Sequence, residues 1–201
     1  MLKTRIIPVV CSAVLSAAVA QAGFAQSNKA TPSSEARVEL ILDEVVNRMV
    51  AVTDAHWHKG EYNHNINIAR MVMAARPDFV DFYANTGWLL WSMNRDAEAV
   101  ALYEKGIKAN PNTYYMYDEL GQYYFMRKKD YPTAIKYYEK AVTFKDAEWR
   151  AWNALALCYE RTGQLEKSLK AWEKAATYKG NVSAASNMAR VRNKLKQKSP
   201  I

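Results

Sequence analysis

Three histidines, His56, His58 and His64, lie close together beside Asp54, and imidazole with carboxylate is the chemistry of a metal site. His56 and His58 are two residues apart, however, and on a helix such neighbours point to nearly opposite sides. A helical pair that closes on one ion sits four apart. His56 also falls in a row with Leu90, Tyr124 and Tyr159, which reads as interior. The expectation is a packed histidine with a hydrogen-bond partner, and neither a metal nor a cofactor; a metal dependence would appear as its loss on substitution of His58. Asp118 and Glu119 offer neighbouring carboxylates, but adjacent helical residues diverge, which suits partner contacts better than acid–base work. No Gly-rich phosphate loop, Gly-x-Ser-x-Gly elbow, His-Glu-x-x-His pair or paired-cysteine motif occurs, so the chain reads as a non-enzyme. Cys158 stands between Leu157 and Tyr159 on an apolar helix, where packing is its expected role.

What remains is recognition chemistry. Trp57, Trp91 and Phe125 recur 34 residues apart and are followed in register by Glu160. Two parallel rows keep the same interval: Asn47, Asp81, Tyr115 and Arg150, and Asp54, Trp88, Gln122 and Leu157. An aromatic ladder of this kind can grip the apolar side chains of a partner segment, with amides and carboxylates beside it fixing the segment's backbone.

The interval belongs to the whole chain. Thr53, Gly87, Gly121 and Ala156 step by 34, 34 and 35 residues, and Ala69, Tyr103, Tyr138 and Trp172 by 34, 35 and 34, as do Val72, Gly106, Ala141 and Ala175. Two helical patterns per interval signal a stacked helical solenoid, because one such unit cannot bury its apolar face alone. The apolar periodicity places units at about residues 46–79, 80–113, 114–148 and 149–182. A polar-faced helix at 183–197 caps the end, and the whole domain spans 35–197. The turn Arg127-Lys128-Lys129-Asp130 carries the extra residue of the one longer step. From Glu35 to His58 the pattern is an amphipathic helix longer than its counterparts, whose first half is expected to cover the open end of the stack.

Ahead of this domain, Lys3 and Arg5 precede an apolar run from Ile6 to Ala20, with small residues suited to cleavage at Ala20, Ala22 or Ala25. Residues 1–25 therefore read as a secretory signal, and 26–34 as a short polar linker. The chain carries 28 Lys and Arg against 20 Asp and Glu, a net charge of +8 that stays positive without Lys3 and Arg5. Export leaves Cys158 as the single cysteine, so the domain has no internal disulfide framework and depends on helix packing.

The third unit reads Tyr117, Leu120, Gly121, Tyr124, Ala134, Tyr138 and Ala141, and the fourth Trp152, Leu155, Ala156, Tyr159, Gly163, Ser168, Trp172 and Ala175. The second keeps Tyr83, Gly87, Ala99, Tyr103 and Pro111, and the first only Gly60, Tyr62 and Pro77. These residues resemble the tetratricopeptide repeat family. The resemblance implies an all-α, right-handed α-solenoid of four helix-turn-helix repeats whose concave groove, formed mainly by the first helix of each pair, binds peptides or partner proteins.

Carried onto this sequence, the groove is expected to present Trp57, Asp81, Asn85, Trp88, Trp91, Tyr115, Asp118, Glu119, Gln122 and Phe125. The family's clamp for the carboxylate tail of heat-shock chaperones needs Lys, Asn and Arg where this chain has Asp81, Ala84, Trp88, Glu119 and Ala154, so a basic or apolar segment is the expected guest. The resulting reading is an exported, periplasmic or extracellular scaffold for a protein or peptide partner, with no nucleic acid and no membrane span after signal cleavage. The alternative is attachment to anionic lipid or envelope polymer through the basic second half, which includes Arg127 to Lys129 and Arg190 to Lys198.

Overall fold

A computed structural model describes residues 33–198. The expected signal segment and most of the linker lie outside the described residues. Apolar positions at steps of three and four, set between turn residues, produce nine helices and no strand among the described residues: α1 (Ser34–His58), α2 (Tyr62–Ala75), α3 (Val80–Ser92), α4 (Asp96–Ala109), α5 (Tyr115–Gln122), α6 (Tyr131–Ala141), α7 (Trp149–Arg161), α8 (Leu165–Ala176) and α9 (Ala184–Lys198). Each helix packs on its neighbour in sequence, from α1 on α2 through to α8 on α9, which is the nearest-neighbour stacking of an α-solenoid. None of the helices is long and apolar enough to cross a membrane.

Each hairpin is closed by one repeated device. Gly60, Asn94, Lys129 and Gly163 adopt left-handed backbone at φ 72°, 62°, 56° and 75°. The next residue's amide then reaches back to a carbonyl in the preceding helix: Glu61 to His56 at 2.9 Å, Arg95 to Leu90 at 2.9 Å, Asp130 to Tyr124 at 3.0 Å and Gln164 to Tyr159 at 2.8 Å. This bond satisfies a carbonyl that the helix end would otherwise leave open. In the third unit the bond spans one residue more, because α5 widens into a π-helical turn over Tyr123–Lys128. The extra residue of the longer step is thus absorbed in the helix just before the turn, and the left-handed residue keeps its place in the motif.

Packing between the two helices of a pair rests on a small residue facing a large one. A Cβ added at Gly87 would stand 2.4 Å from the Tyr103 ring, and one at Gly121 would stand 3.0 Å from the Tyr138 ring. In the fourth pair Ser168 fits against Ala156 and donates to its carbonyl at 2.8 Å. Tyr103, Tyr138 and Trp172 are all buried. Cys158 is a buried free thiol whose burial pushes its pKa up to about 12, which fits packing rather than reactivity.

The long first helix departs from expectation. Helix α2 has 14 residues against 25 in α1, and its end reaches α1 where Arg76 pairs with Asp43. The residues before Asp43 overhang by roughly 14 Å of helix at about 1.5 Å per residue. Val38, Leu40 and Ile41 are therefore more than 60% exposed, and the first half of α1 does not cover the end of the stack. The capping helix α9 does close the other end, burying Val191 and Ala184 while its basic residues face outward.

The Gly87 contact gives a prediction of opposite sign to helix propensity. Replacing an interior helical Gly with Ala favours the helix by about 1 kcal/mol, whereas overpacking a ring with no room to move costs up to about 3 kcal/mol. Gly87→Ala should lower stability by about 2 kcal/mol in urea unfolding; a stabilised variant would contradict the tight-contact account.

Candidate functional site

The packing rule of the stack lapses in the first pair. The positions equivalent to Gly87, Ala99 and Tyr103 are Thr53, Asn65 and Ala69, so a hydroxyl and an amide stand at the close contact and a methyl stands where the other units have a ring. The result is a cavity of about 550 Å³ where α1, α2 and α3 meet. All three of those residues line it, together with Val50 and Trp57 of α1 and Phe82, Asn85 and Trp88 of α3. Asn65 is only 7% exposed, and its side-chain oxygen has no hydrogen-bond partner. A buried amide oxygen without a donor is a costly group, which makes it a ready acceptor for a guest N–H.

The rings at the cavity mouth form a short chain. Trp57 and Trp88 are each 42% exposed, with centroids 6.1 Å apart; Tyr62 meets Trp57 edge-on at 5.3 Å, and Trp91 meets Trp88 edge-on at 6.0 Å. Of the ten residues expected in the groove, Trp57, Asn85 and Trp88 gather here. Trp91 is half-buried, and its indole N–H donates to the Tyr103 hydroxyl at 3.2 Å. Phe125 is also half-buried, against the core of the last two units and the Tyr131 ring. The aromatic row therefore divides, with its first member open and the other two engaged in packing. The residues missed by sequence reasoning were Val50, Thr53, Asn65, Ala69 and Phe82. Ala69 carried the visible signal, being the small residue in a row of rings.

A second group lies further along the first helices, where Asp81 is exposed and Tyr115, Asp118, Glu119 and Gln122 are half-buried. Burial pushes the Asp118 carboxyl up to about 6, with Glu148 adding to the rise and Arg150 opposing it. Burial also lifts Glu119 to about 7, helped by the charges of Asp118 and Asp81. The Asp118 Oδ1 has no hydrogen-bond partner. These are acids held where their ionised form is disfavoured, which suits a site awaiting a cation and also costs the fold stability.

His56 and His58 point apart and His56 has a hydrogen-bond partner, as expected, but His64 joins His56 in a grouping that the helical spacing did not foresee. His58 sits on Asp54 at 3.5 Å on the exposed side of α1, away from His56. His56 instead meets Glu61 and His64 across the turn into α2, their donor atoms all lying within 4.8 Å of one another. Reading the histidines along one helix overlooked Glu61, because the juxtaposition is made by the turn and not by helical spacing. Some of the basic residues of the second half are engaged within the chain: Arg127 and Lys128 pair with Asp96, Arg190 and Lys194 with Glu160, and Arg192 with Glu173. The Arg127 hydrogen bond holds the Asp96 carboxyl well below the usual range.

Similarity to known proteins agrees with this architecture. The family model for the tetratricopeptide repeat matches residues 84–148 and 124–184. No curated protein shows significant sequence similarity to the chain. Among solved structures, a crystal structure of the MamA protein is 21% identical, with a TM-score of 0.59 over 75% of this chain and 82% of that one. PilF of Pseudomonas aeruginosa is 17% identical, with a TM-score of 0.62 over 78% of this chain and 71% of that one. PilW, a type IV pilus biogenesis factor, is 12% identical, with a TM-score of 0.60 over 76% of this chain and 71% of that one. At these identities the likeness speaks for the fold.

The raised carboxyls fix the sign of a pH effect. An acid whose folded pKa lies above its unfolded value near 4 makes folding less favourable as pH rises through that interval, and the full cost is present above the folded value. Asp118→Asn should therefore raise the urea midpoint at pH 8 by the equivalent of about 2–3 kcal/mol and at pH 4 by well under about 1 kcal/mol. A gain of equal size at both pH values would show that packing, not ionisation, is responsible.

Proposed function

The chain belongs to the tetratricopeptide repeat family, and from that premise we propose that it is a non-catalytic scaffold of the cell envelope that captures a partner protein by an apolar or aromatic side chain. The observation that carries this reading is the cavity left by Ala69, overhung by Trp57 and Trp88, with the free oxygen of Asn65 within it. A guest ring would replace the one that the other units supply from Tyr103, Tyr138 or Trp172, and a guest N–H would meet Asn65. Asn85 flanks the entrance, and Asp81, Asp118, Glu119 and Gln122 continue the surface as an acidic stretch, so a guest carrying Lys or Arg beside its apolar anchor is the best fit. Trp91, which meets Trp88 edge-on, backs the open rings in this scheme, whereas Tyr115 and Phe125 are packed elsewhere in the stack. The placement in the envelope is supported by the secretory character of residues 1–25 and by the likeness to PilW.

Attachment to anionic lipid or polymer through the basic second half is the weaker reading. Five of its cations are held by carboxylates of the same chain, which lowers the charge they offer to an external surface.

The cavity reading is tested by restoring the repeat. Thr53→Gly combined with Ala69→Tyr places a ring and its facing gap where the other units have them. The double variant should fold with unchanged or increased stability and fail to retain peptides selected from a displayed random library against the natural chain. Trp57→Ala with Trp88→Ala should weaken the same peptides at least tenfold. Selected peptides lacking an apolar anchor, or indifferent to both variants, would refute the proposal.

A further inference from the structure

Where the turn Lys59-Gly60 joins α1 to α2, His56 Nδ1 donates to Glu61 Oε2 at 2.5 Å, and the His56 and His64 rings meet edge to face at 5.0 Å. We propose that His56, Glu61 and His64 form a zinc site that clips the first two helices together. This inference is independent of the partner cavity.

The main chain sets all three ligands in place. The left-handed Gly60 turns the chain so that the Glu61 amide bonds the His56 carbonyl at 2.9 Å, and the His64 amide bonds the Glu61 carbonyl at 3.0 Å. Each side chain therefore leaves a fixed backbone position toward the same point. Zinc takes imidazole nitrogen and carboxylate oxygen at about 2.0–2.2 Å in a tetrahedron, which puts neighbouring donors about 3.4 Å apart. The present separations bracket that spacing. The hydrogen-bonded His56–Glu61 pair opens slightly, and the exposed His64 ring swings inward, to reach it. Water completes the fourth position, because the cluster lies at the surface.

The other three units show that the arrangement is particular to the first. The residue corresponding to His56 is Leu90, Tyr124 or Tyr159, all serving the interior. That corresponding to Glu61 is Arg95, Asp130 or Gln164, and that corresponding to His64 is Glu98, Thr133 or Lys167. Only the first hairpin exchanges the apolar residue that closes the turn for an imidazole and surrounds it with two further ligands. The exchange forgoes an apolar contact typical of such helix ends, and a metal bridging the same two elements supplies the missing link.

The test uses the untagged full chain, stripped with a chelator and titrated with zinc sulfate by calorimetry. One ion should bind per chain with a dissociation constant in the micromolar range, the ion should raise the melting temperature, and Trp57 beside the site should change its fluorescence. His64→Ala and Glu61→Gln should each weaken binding at least tenfold while the helical circular dichroism is retained. His58→Ala should leave binding unchanged, because Asp54 and His58 form a separate exposed pair. Absence of stoichiometric binding would overturn the proposal. So would binding that is lost with His58→Ala and indifferent to His64→Ala.

Discussion

Everything in this molecule depends on how closely the two helices of a pair approach. Where α3 offers Gly87 and α4 offers Tyr103, the ring lies directly on the backbone, and no Cβ can enter between them. The same arrangement at Gly121 and Tyr138, and a related one at Ala156, Ser168 and Trp172, fixes the pairs at a spacing that lets each hairpin seat on the next. A solenoid has no long-range core to compensate for a poor pair, because each unit touches little beyond its neighbours. The close contact is therefore a local condition that is met again in each of the last three units, and this is why it is written so regularly along that part of the sequence.

That regularity made the architecture legible. Positions such as Gly87 and Gly121, Tyr103 and Tyr138 give the unit length directly, and the extra residue of the third unit is visible as a break in the step. Its structural form was not. A turn near Lys129 was readable, but a π-helical widening over Tyr123–Lys128 solves the insertion within the helix instead of lengthening the loop. Sequence spacing counts residues without saying which of them absorb a surplus. The overhang of α1 was hidden for a similar reason: its apolar pattern is helical throughout, and it is the shorter length of α2 that leaves Val38, Leu40 and Ile41 without a packing partner among the described residues.

The site was legible in part, and the division follows a physical line. Trp57 and Trp88 occupy equivalent turns of successive first helices and come out adjacent and open, as rows on stacked helices should. Trp91 and Phe125 share a row with Trp57, yet each finds a neighbour that Trp57 lacks, the hydroxyl of Tyr103 for one and the ring of Tyr131 for the other. A row fixes direction from the helix axis. It does not fix what stands opposite, and exposure is decided by the partner helix. The histidine cluster carries the same lesson across a turn, since Glu61 and His64 are brought to His56 by the left-handed residue between them.

The coincidence of cavity, open rings and histidine cluster at one end of the stack has a common origin. Inner units are held to the repeat from both sides, so a polar residue at the close contact or a missing ring would disturb two interfaces. Among the described residues the first pair has a neighbour only at α3, and its α1 is long enough to be held by Val46 and the Arg76–Asp43 pair without a ring at position 69. Relaxing the packing there disturbs a single interface, and what it leaves behind is a concave apolar space with an unpaired amide oxygen, the kind of feature on which recognition is built. The constraint that makes the rest of the stack uniform thus also determines where the chain is free to differ, and the differences gather at the first hairpin.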